Sequence, residues 1–372
     1  MFTDECVIDT RSTMAIKFRA ASFNVENLFS RAKILNFEDH TKASILLKKV
    51  DELNVLLRKT DYSDADKREI MALSEELKDY IVIREDMGKL FLGKGAARRV
   101  GAAGKGDWSG VIEFKRAEVK ELARKSTAAV FKQVKADVMC VVEAENRPML
   151  VDFNTNGLGP AKFDQVMCID GNDKRGIDVG LLSKFPIRGM RTNMYDGTSA
   201  SRVFSRDCLE LDLELPDGKM LHVLCNHFVS KMNGDPPSSR KRRLRQAQRV
   251  AEILGGYDLD RDLVIVAGDM NDTPDSPAMK PLTHLAGLHD VLEWKFGKSM
   301  QDRWTYKYRS ELNQIDYLLV STPLKKALID AGIERRGIHE IEKVTGEKPF
   351  PSVTHWTTAA SDHGAVWADF SI

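Results

Sequence analysis

Val264-Ile265-Val266-Ala267-Gly268-Asp269-Met270-Asn271-Asp272 is an apolar run that stops at a glycine and passes at once into an acid, an amide and a second acid. A buried strand that ends there delivers a carboxylate and a carboxamide to its C-terminal edge. That edge is where α/β proteins place their chemistry. Alone the pattern is moderately specific, because any strand can end in a polar turn. Similar endings recur: Asn24 with Glu26, Glu143 after Val141-Val142, His227 after Leu224-Cys225-Asn226, and Asp362-His363 just before Ala365-Val366. A further acid, Asp316, lies among Ile315, Tyr317, Leu318 and Leu319. A lone carboxylate at a strand end is ordinarily a turn cap. Carboxylates, amides and two histidines at so many strand ends are not explained as coincident caps.

The 372 residues are ample for one large core or two ordinary domains. A hydrophobic share of 42% with 30% charged residues describes a soluble globular chain. The formal net charge is +1, so attraction to phosphate must come from local patches rather than a global field. Residues 1 to 20 lack the basic start, apolar core and cleavage site of a secretory signal. No apolar run approaches the ~20 residues that cross a bilayer, so no membrane partner is expected. Five cysteines, Cys6, Cys140, Cys168, Cys208 and Cys225, form no CxxC pair. Four of them sit in apolar, strand-like segments and read as small buried thiols. The expected location is cytoplasmic.

Organisation changes along the chain. Residues 18 to 29 start strand-like and end in Asn24-Val25-Glu26-Asn27. Leu46, Val50, Leu53 and Leu57 then recur at helical spacing, as do Ile70, Leu73, Leu77 and Ile81. Ser63 with Asp66 resembles a capping box that starts the second helix. Residues 38 to 86 are therefore expected to form a helical hairpin inserted into the main fold. Residues 88 to 110, rich in glycine and carrying Lys89, Lys94, Arg98, Arg99 and Lys105, are expected as a basic surface loop or a lid over an anionic substrate. Beyond them the spacing predicts a helix over 115–135 and another over about 239–254. Strands are expected at 137–142, 178–183, 208–213, 221–226, 263–267, 314–320 and 365–370. Mixed strands and helices over this length imply an α/β fold, a layered α/β sandwich, rather than separate modules.

Hard oxygen ligands, few histidines and no thiols favour magnesium or manganese over zinc. Two histidines supply groups that titrate near neutrality. Together with carboxylates, amides and a divalent ion they suit phosphoester hydrolysis, in which phosphoryl charge is stabilised, water is oriented and the leaving oxygen gains a proton.

The order of these clusters resembles the endonuclease/exonuclease/phosphatase superfamily, the deoxyribonuclease-I-like group. The matching segments are Asn24-Val25-Glu26-Asn27, Val142-Glu143, Gly176 to Ser183, Asn226-His227-Phe228, Gly268-Asp269-Met270-Asn271, Ile315-Asp316-Tyr317 and Ser361-Asp362-His363. The resemblance implies two packed mixed β-sheets flanked by helices, a catalytic domain over 18–372 interrupted by the insert at 30–110. It implies Glu143 as principal ligand of Mg2+ or Mn2+, with Asn24, Glu26 and Asp362 near the same ion. Asp269 and Asn271 would position water and a phosphate oxygen. His363 would pair with Asp316, and His227 would lie across the phosphate. The resemblance leaves the acid and base roles of the two histidines unassigned. Val142 stands where a glutamine often precedes the metal-binding glutamate in this family, and no acidic partner for His227 is evident.

Arg240-Lys241-Arg242-Arg243-Leu244-Arg245 is the densest basic stretch. It reads either as a solvated helix face or as a patch that tracks phosphates. Arg240, Arg243, Lys231 and Arg175 are the candidate phosphate contacts. Trp304, Tyr306 and Tyr308 read as core aromatics or as surfaces for base stacking. The favoured function is a metal-dependent DNA endonuclease of low sequence preference, with nucleic acid as partner. The alternatives are a phosphatase or phosphodiesterase acting on a phospholipid or inositol phosphate, and a non-catalytic binding module. The 38–86 insert is a candidate contact for a protein partner or a dimer.

Overall fold

A computed structural model of the chain describes residues 15–28, 40–115, 121–173, 176–231, 235–308 and 311–372. Contacts divide the chain into two compact units, Met1–Leu28 with Lys120–Ile372, and Phe29–Val119.

The larger unit is built on two six-stranded mixed sheets. Across the first run the strands Leu328–Glu334, Ala365–Ser371, Lys17–Leu28, Val138–Ala144, Asp178–Ser183 and Gln165–Cys168. Across the second run Leu288–Asp290, Asp316–Ser321, Leu263–Asp269, Met220–His227, Cys208–Glu214 and Ile187–Arg191. Each sheet holds one parallel pair near its middle, Lys17–Leu28 with Val138–Ala144 and Met220–His227 with Leu263–Asp269.

These central strands read as continuous apolar runs because both of their faces are covered. Alternation then decides which side chain goes where. Phe18, Ala20, Val138, Cys140 and Val142 of the first sheet meet Leu221, Val223, Cys225, Leu263, Ile265, Ala267, Leu318 and Val320 of the second in one shared interlayer. The opposite face of the first sheet, with Ala21, Phe23, Val25, Met139 and Val141, packs on Ala128, Phe131 and Val134 of the helix Glu121–Val134. Val264, Val266 and Leu224 pack on Ala247, Val250 and Leu254 of the helix Pro237–Leu254. The result is four layers, helix, sheet, sheet, helix, as the α/β sandwich reading expects.

The four described cysteines, Cys140, Cys168, Cys208 and Cys225, are all buried free thiols. Burial raises the pKa of Cys168 and Cys208, and the contact with Cys140, then burial, raises that of Cys225, which keeps these three unreactive. Cys6 lies outside the described residues.

The smaller unit has its own core. Leu46, Val50, Leu53 and Leu57 of the helix His40–Leu57 pack with Ile70, Leu73 and Leu77 and with the buried Trp108. Ser63 caps the helix Asp64–Glu76 through a reciprocal pair: its hydroxyl accepts from Asp66 N at 3.1 Å, and its own N–H donates to Asp66 Oδ2 at 3.0 Å. The sequence expects this hairpin to run to residue 86 and a glycine-rich loop to follow. Instead Ile81–Gly88 is a strand paired antiparallel with Trp108–Phe114. A smaller hairpin, Phe91–Leu92 with Arg99–Val100, lies between them in sequence. Ile81 falls at helical spacing after Leu77, but the turn at 77–80 resets the backbone and the β-branched Ile81 and Ile83 then extend. Glu85 secures the ribbon's bend by accepting from Leu90 N at 2.8 Å and Phe91 N at 3.0 Å.

No described helix is long and apolar enough to cross a membrane.

Gly268 is where the second sheet bends toward the site. Its φ is +134°, and a Cβ there would sit 1.9 Å from the Asn226 carbonyl oxygen on the neighbouring strand. Gly268→Ala should destabilise the protein by about 3–5 kcal/mol, as strain and overlap on backbone combine. Chemical denaturation checks this; a loss below ~1 kcal/mol would show that the strand can yield.

Candidate active site

The polar cluster is the interlayer continued to its end. In the second sheet Leu221, Val223 and Cys225 lead by alternation to His227, and Leu263, Ile265 and Ala267 lead to Asp269. Leu318 and Val320 lead back to Asp316. Register aligns the three polar ends in a row, His227 beside Asp269 and Asp269 beside Asp316. In the first sheet Phe18 and Ala20 lead on to the buried Asn24, which faces the same gap. The Asn24 amide donates to Asp269 Oδ2 at 3.1 Å, a hydrogen bond from one sheet to the other.

Glu143 arrives by a different device. A bulge interrupts the pairing of Val138–Ala144 between Val142 and Ala144, and Glu143 holds a left-handed φ of 67°. Glu26 and Asn271, at 45° and 52°, are left-handed too. Non-glycine residues seldom adopt this conformation, and functional sites are where they concentrate. The bulge flips the alternation, so that Ala144 joins the helix-side core.

His227 Nε2 lies 3.8 Å from Glu143 Oε1 and 3.8 Å from Asp269 Oδ2. The acidic neighbours that the sequence did not reveal are thus the two site carboxylates themselves. Asp269 is held from below: Oδ1 accepts from Asn271 N at 2.8 Å, and Oδ2 from the Asn271 amide at 3.2 Å. The Asn271 amide also donates to Phe228 O at 3.0 Å, tying the residue after His227 to the residues after Asp269.

His363 Nδ1 lies 2.8 Å from Asp316 Oδ2, and the same oxygen accepts from Thr305 Oγ1 at 2.7 Å. The Tyr306 ring packs on the His363 ring with centroids 4.7 Å apart. His363 Nε2 is 3.6 Å from Asp362 Oδ1. Burial works against the imidazolium, but Asp316, Asp362 and Asp269 outweigh it and raise its pKa well above the usual histidine range.

The carboxylates crowd one another. Burial, then the charge of Asp316, lifts Asp269 to about 7. Glu143 is raised first by burial, with His363 and Arg206 pulling it back. Glu26 is an exposed residue by surface area, yet its carboxyl is enclosed by protein, and burial, Asp362 and Glu143 lift it to about 7. Asp316 Oδ1 is buried with no hydrogen-bond partner. An excess of enclosed oxygen donors short of positive charge fits a hard divalent cation. Ligand atoms of Asp269, Asp316 and His363 all lie within 4.8 Å of one another. Hydrogen bonds within the protein already engage those three.

The basic helix is used differently from the sequence expectation. Its buried face is Arg243, Gln246, Ala247, Val250 and Leu254, about one residue out of phase with the Leu244, Ala247, Ala251 and Leu254 stripe. Arg243 is therefore fully buried rather than a phosphate contact. Its guanidinium pairs with Asp272 at 2.8 Å and Asp235 at 2.7 Å. Lys231 pairs with Asp272 at 2.7 Å while staying partly exposed, and the exposed Arg240 lies 3.8 Å from Asp235. Lys241 is exposed, and neither it nor Arg242 makes an ion pair among the described residues. Arg175 and the side chain of Tyr308 lie outside the described residues. Trp304 is core, under Arg335 at 4.4 Å.

Sequence reasoning missed Thr305 and Arg206, and gave Asp272, the second acid of the opening motif, no role of its own. Arg206 is buried, donates to Phe228 O at 3.2 Å and pairs with Asp173 at 2.9 Å. No spacing signal marks any of the three. Asn146 caps the helix Arg147–Asp152, its side chain accepting from Met149 N at 2.9 Å.

Asp316→Asn should return the His363 pKa toward the ordinary histidine range, because the largest favourable charge is removed while burial stays. Histidine ring NMR titration in chelator checks this; an imidazolium that persists to the wild-type pH would remove Asp316 as its cause.

A family model described as the Endonuclease/Exonuclease/phosphatase family matches residues 117–363. No curated protein sequence matches the chain. Similar solved structures include truncated TDP2 of Caenorhabditis elegans, 18% identical, covering 67% of this chain and 90% of that one at a TM-score of 0.48. An endonuclease/exonuclease/phosphatase protein of Bacteroides vulgatus is 14% identical, covering 67% and 90%, at 0.48. An AP endonuclease of Archaeoglobus fulgidus is 18% identical, covering 66% and 93%, at 0.46.

Proposed function

This chain belongs to the endonuclease/exonuclease/phosphatase family, and from that premise we propose that it is a divalent-metal-dependent phosphodiester hydrolase cutting DNA internally with little sequence preference. The observation that carries the chemistry is the convergence of Glu143, His227 and Asp269 within 3.8 Å contacts, with the His363–Asp316 pair beside Asp269.

Glu143, with Glu26, Asn24 and Asp362, would hold a Mg2+ or Mn2+ ion, whose chemistry would be to offset charge on the phosphoryl oxygens. Asp269, its carboxylate fixed by Asn24 and Asn271, orients the attacking water. Asn271, its amide committed to Phe228 O and Asp269 Oδ2, holds that carboxylate against the loop after His227. Asp316 fixes the orientation of the His363 ring through Nδ1 and keeps the ring cationic, which suits stabilising phosphoryl charge. His227, between two acids, is placed to give a proton to the leaving oxygen.

Support for a nucleic acid comes from the helix Pro237–Leu254. Arg243 ties its second turn to Asp272, three residues past Asp269, and to the carbonyls of Val229 and Ser230, just past His227, both at 3.4 Å. Arg240, Lys241 and Arg242 are thereby carried on a helix that Arg243 fastens to the segments following His227 and Asp269. Cations near a helix N-terminus oppose the helix dipole, so their presence there favours a bound anion over a structural use. Contacts of this kind grip the backbone without reading bases.

Two measurements test the reading. Nicking of supercoiled plasmid should require Mg2+ or Mn2+, stop in chelator, and fall by about 10²–10⁴-fold in Asp269→Ala, His227→Ala or His363→Ala. Absence of nicking by wild type, with release of phosphate from a phospholipid or inositol phosphate instead, would reassign the substrate. Separately, Lys241→Ala and Arg242→Ala should each weaken DNA binding evenly across sequences and lower the slope of log affinity on log salt by about one. An unchanged slope would remove these side chains from the DNA path.

A further inference from the structure

The smaller unit contains a pocket of about 230 Å³ lined by Ser74 of the helix Asp64–Glu76, Lys78 of the turn that follows it, Ile81 and Ile83 of the next strand, and Arg98 and Lys115. Its polar rim is cationic. Lys115 Nζ donates to the Lys78 carbonyl at 2.5 Å, and Lys78 pairs with Glu75. Arg98 lies flat over the Phe91 ring at 3.9 Å and has no carboxylate partner among the described residues. Its guanidinium edge is therefore held in place by stacking while its donors stay available.

The floor is the more telling part. Ser74 is 7% exposed, and its hydroxyl has no hydrogen-bond partner. A buried helical hydroxyl ordinarily bonds the carbonyl one turn back. Elsewhere in this chain that is what happens: Ser126 donates to Leu122 O at 3.0 Å and Thr127 to Ala123 O at 3.0 Å. Ser74 forgoes that bond at a residue that lines a cationic pocket; its oxygen is closed from solvent in this rotamer, so a ligand would meet it after rotation about χ1. Buried polar side chains are almost always paired, so an unpaired hydroxyl there lacks an acceptor that a ligand would bring.

The geometry points to a binding site for a phosphate group in the insert, with Ser74 donating from the floor and Arg98 and Lys115 closing over the charge. The volume lies below the ~300 Å³ at which sites for drug-sized molecules begin, which suits a tetrahedral oxyanion rather than a whole nucleotide. The phosphate is carried either by a nucleic-acid strand or by free inorganic phosphate. None of these residues belongs to the catalytic cluster, so the site stands whether or not the chain cuts DNA.

Calorimetric titration of the full chain, in chelator and phosphate-free buffer, uses inorganic phosphate and a short oligonucleotide with and without a 5′-phosphate. Wild type should bind a phosphate-bearing probe. Arg98→Glu should lose at least tenfold in affinity, Arg98→Lys should retain part of it, and Ser74→Ala should lose about three- to tenfold. Because the removed hydroxyl has no partner, Ser74→Ala should leave the melting temperature of the unliganded protein unchanged or raised. Tighter binding of the 5′-phosphorylated strand than of inorganic phosphate assigns the group to nucleic acid; equal binding assigns it to free phosphate. No binding of either probe, wild-type affinity in both Arg98→Glu and Ser74→Ala, or a lowered melting temperature in Ser74→Ala would overturn the site.

Discussion

Everything in the larger unit depends on one shared interlayer between two sheets. Its apolar side chains hold the sheets face to face, and its polar end is the candidate site. Asn24, His227, Asp269 and Asp316 continue the alternating rows that Ala20, Cys225, Ala267 and Leu318 fill deeper in the interlayer. The site is therefore assembled by the same packing that stabilises the fold. The bond from Asn24 to Asp269 crosses from sheet to sheet at that boundary, where burial makes a lost partner costly. Slipping either central strand by one residue would turn its catalytic side chain to the helix side and bury apolar side chains wrongly at once.

The same enclosure sets the electrostatics. Three raised carboxylates and a histidine held cationic by its neighbours describe a site with too much negative charge for its protein cations alone. Arg206 and His363 offset part of it. Arg243 and Lys231 do not, because Asp272 and Asp235 engage them outside the cluster. Positive charge is thus divided between two tasks. Arg243 fastens loops, and the outward cations of the same helix remain for a ligand.

Much of this was legible in the sequence where a simple period governs. The rows 221, 223, 225, 227 and 263, 265, 267, 269 show their polar ends directly, and Ser63 with Asp66 announces its cap. Glu143 is not reachable that way, because the bulge breaks the alternation that places Val138, Cys140 and Val142; only its place in the family pattern marks it. Arg243 was hidden by its basic neighbours, although it precedes Ala247 by one turn and so shares the buried face. The ribbon at 81–114 was missed because short strands in glycine-rich, charged sequence carry little period. Thr305, Asp272 and Arg206 act through contacts between distant segments, which no local pattern encodes. The family match begins at residue 117, at the very end of the smaller unit, and so leaves the strand bearing Asn24 and Glu26 outside it.

Three non-glycine residues of the cluster, Glu26, Glu143 and Asn271, keep backbone conformations that side chains disfavour. Each costs roughly a kcal/mol or more that glycine would not incur. An engineering campaign that ranked variants of this chain by heat tolerance alone would therefore be drawn to these positions early, and would trade catalysis for robustness without touching the core. Conversely, a lineage freed from its chemistry should drift toward glycine there first, which makes these backbone angles a record of what selection has been maintaining.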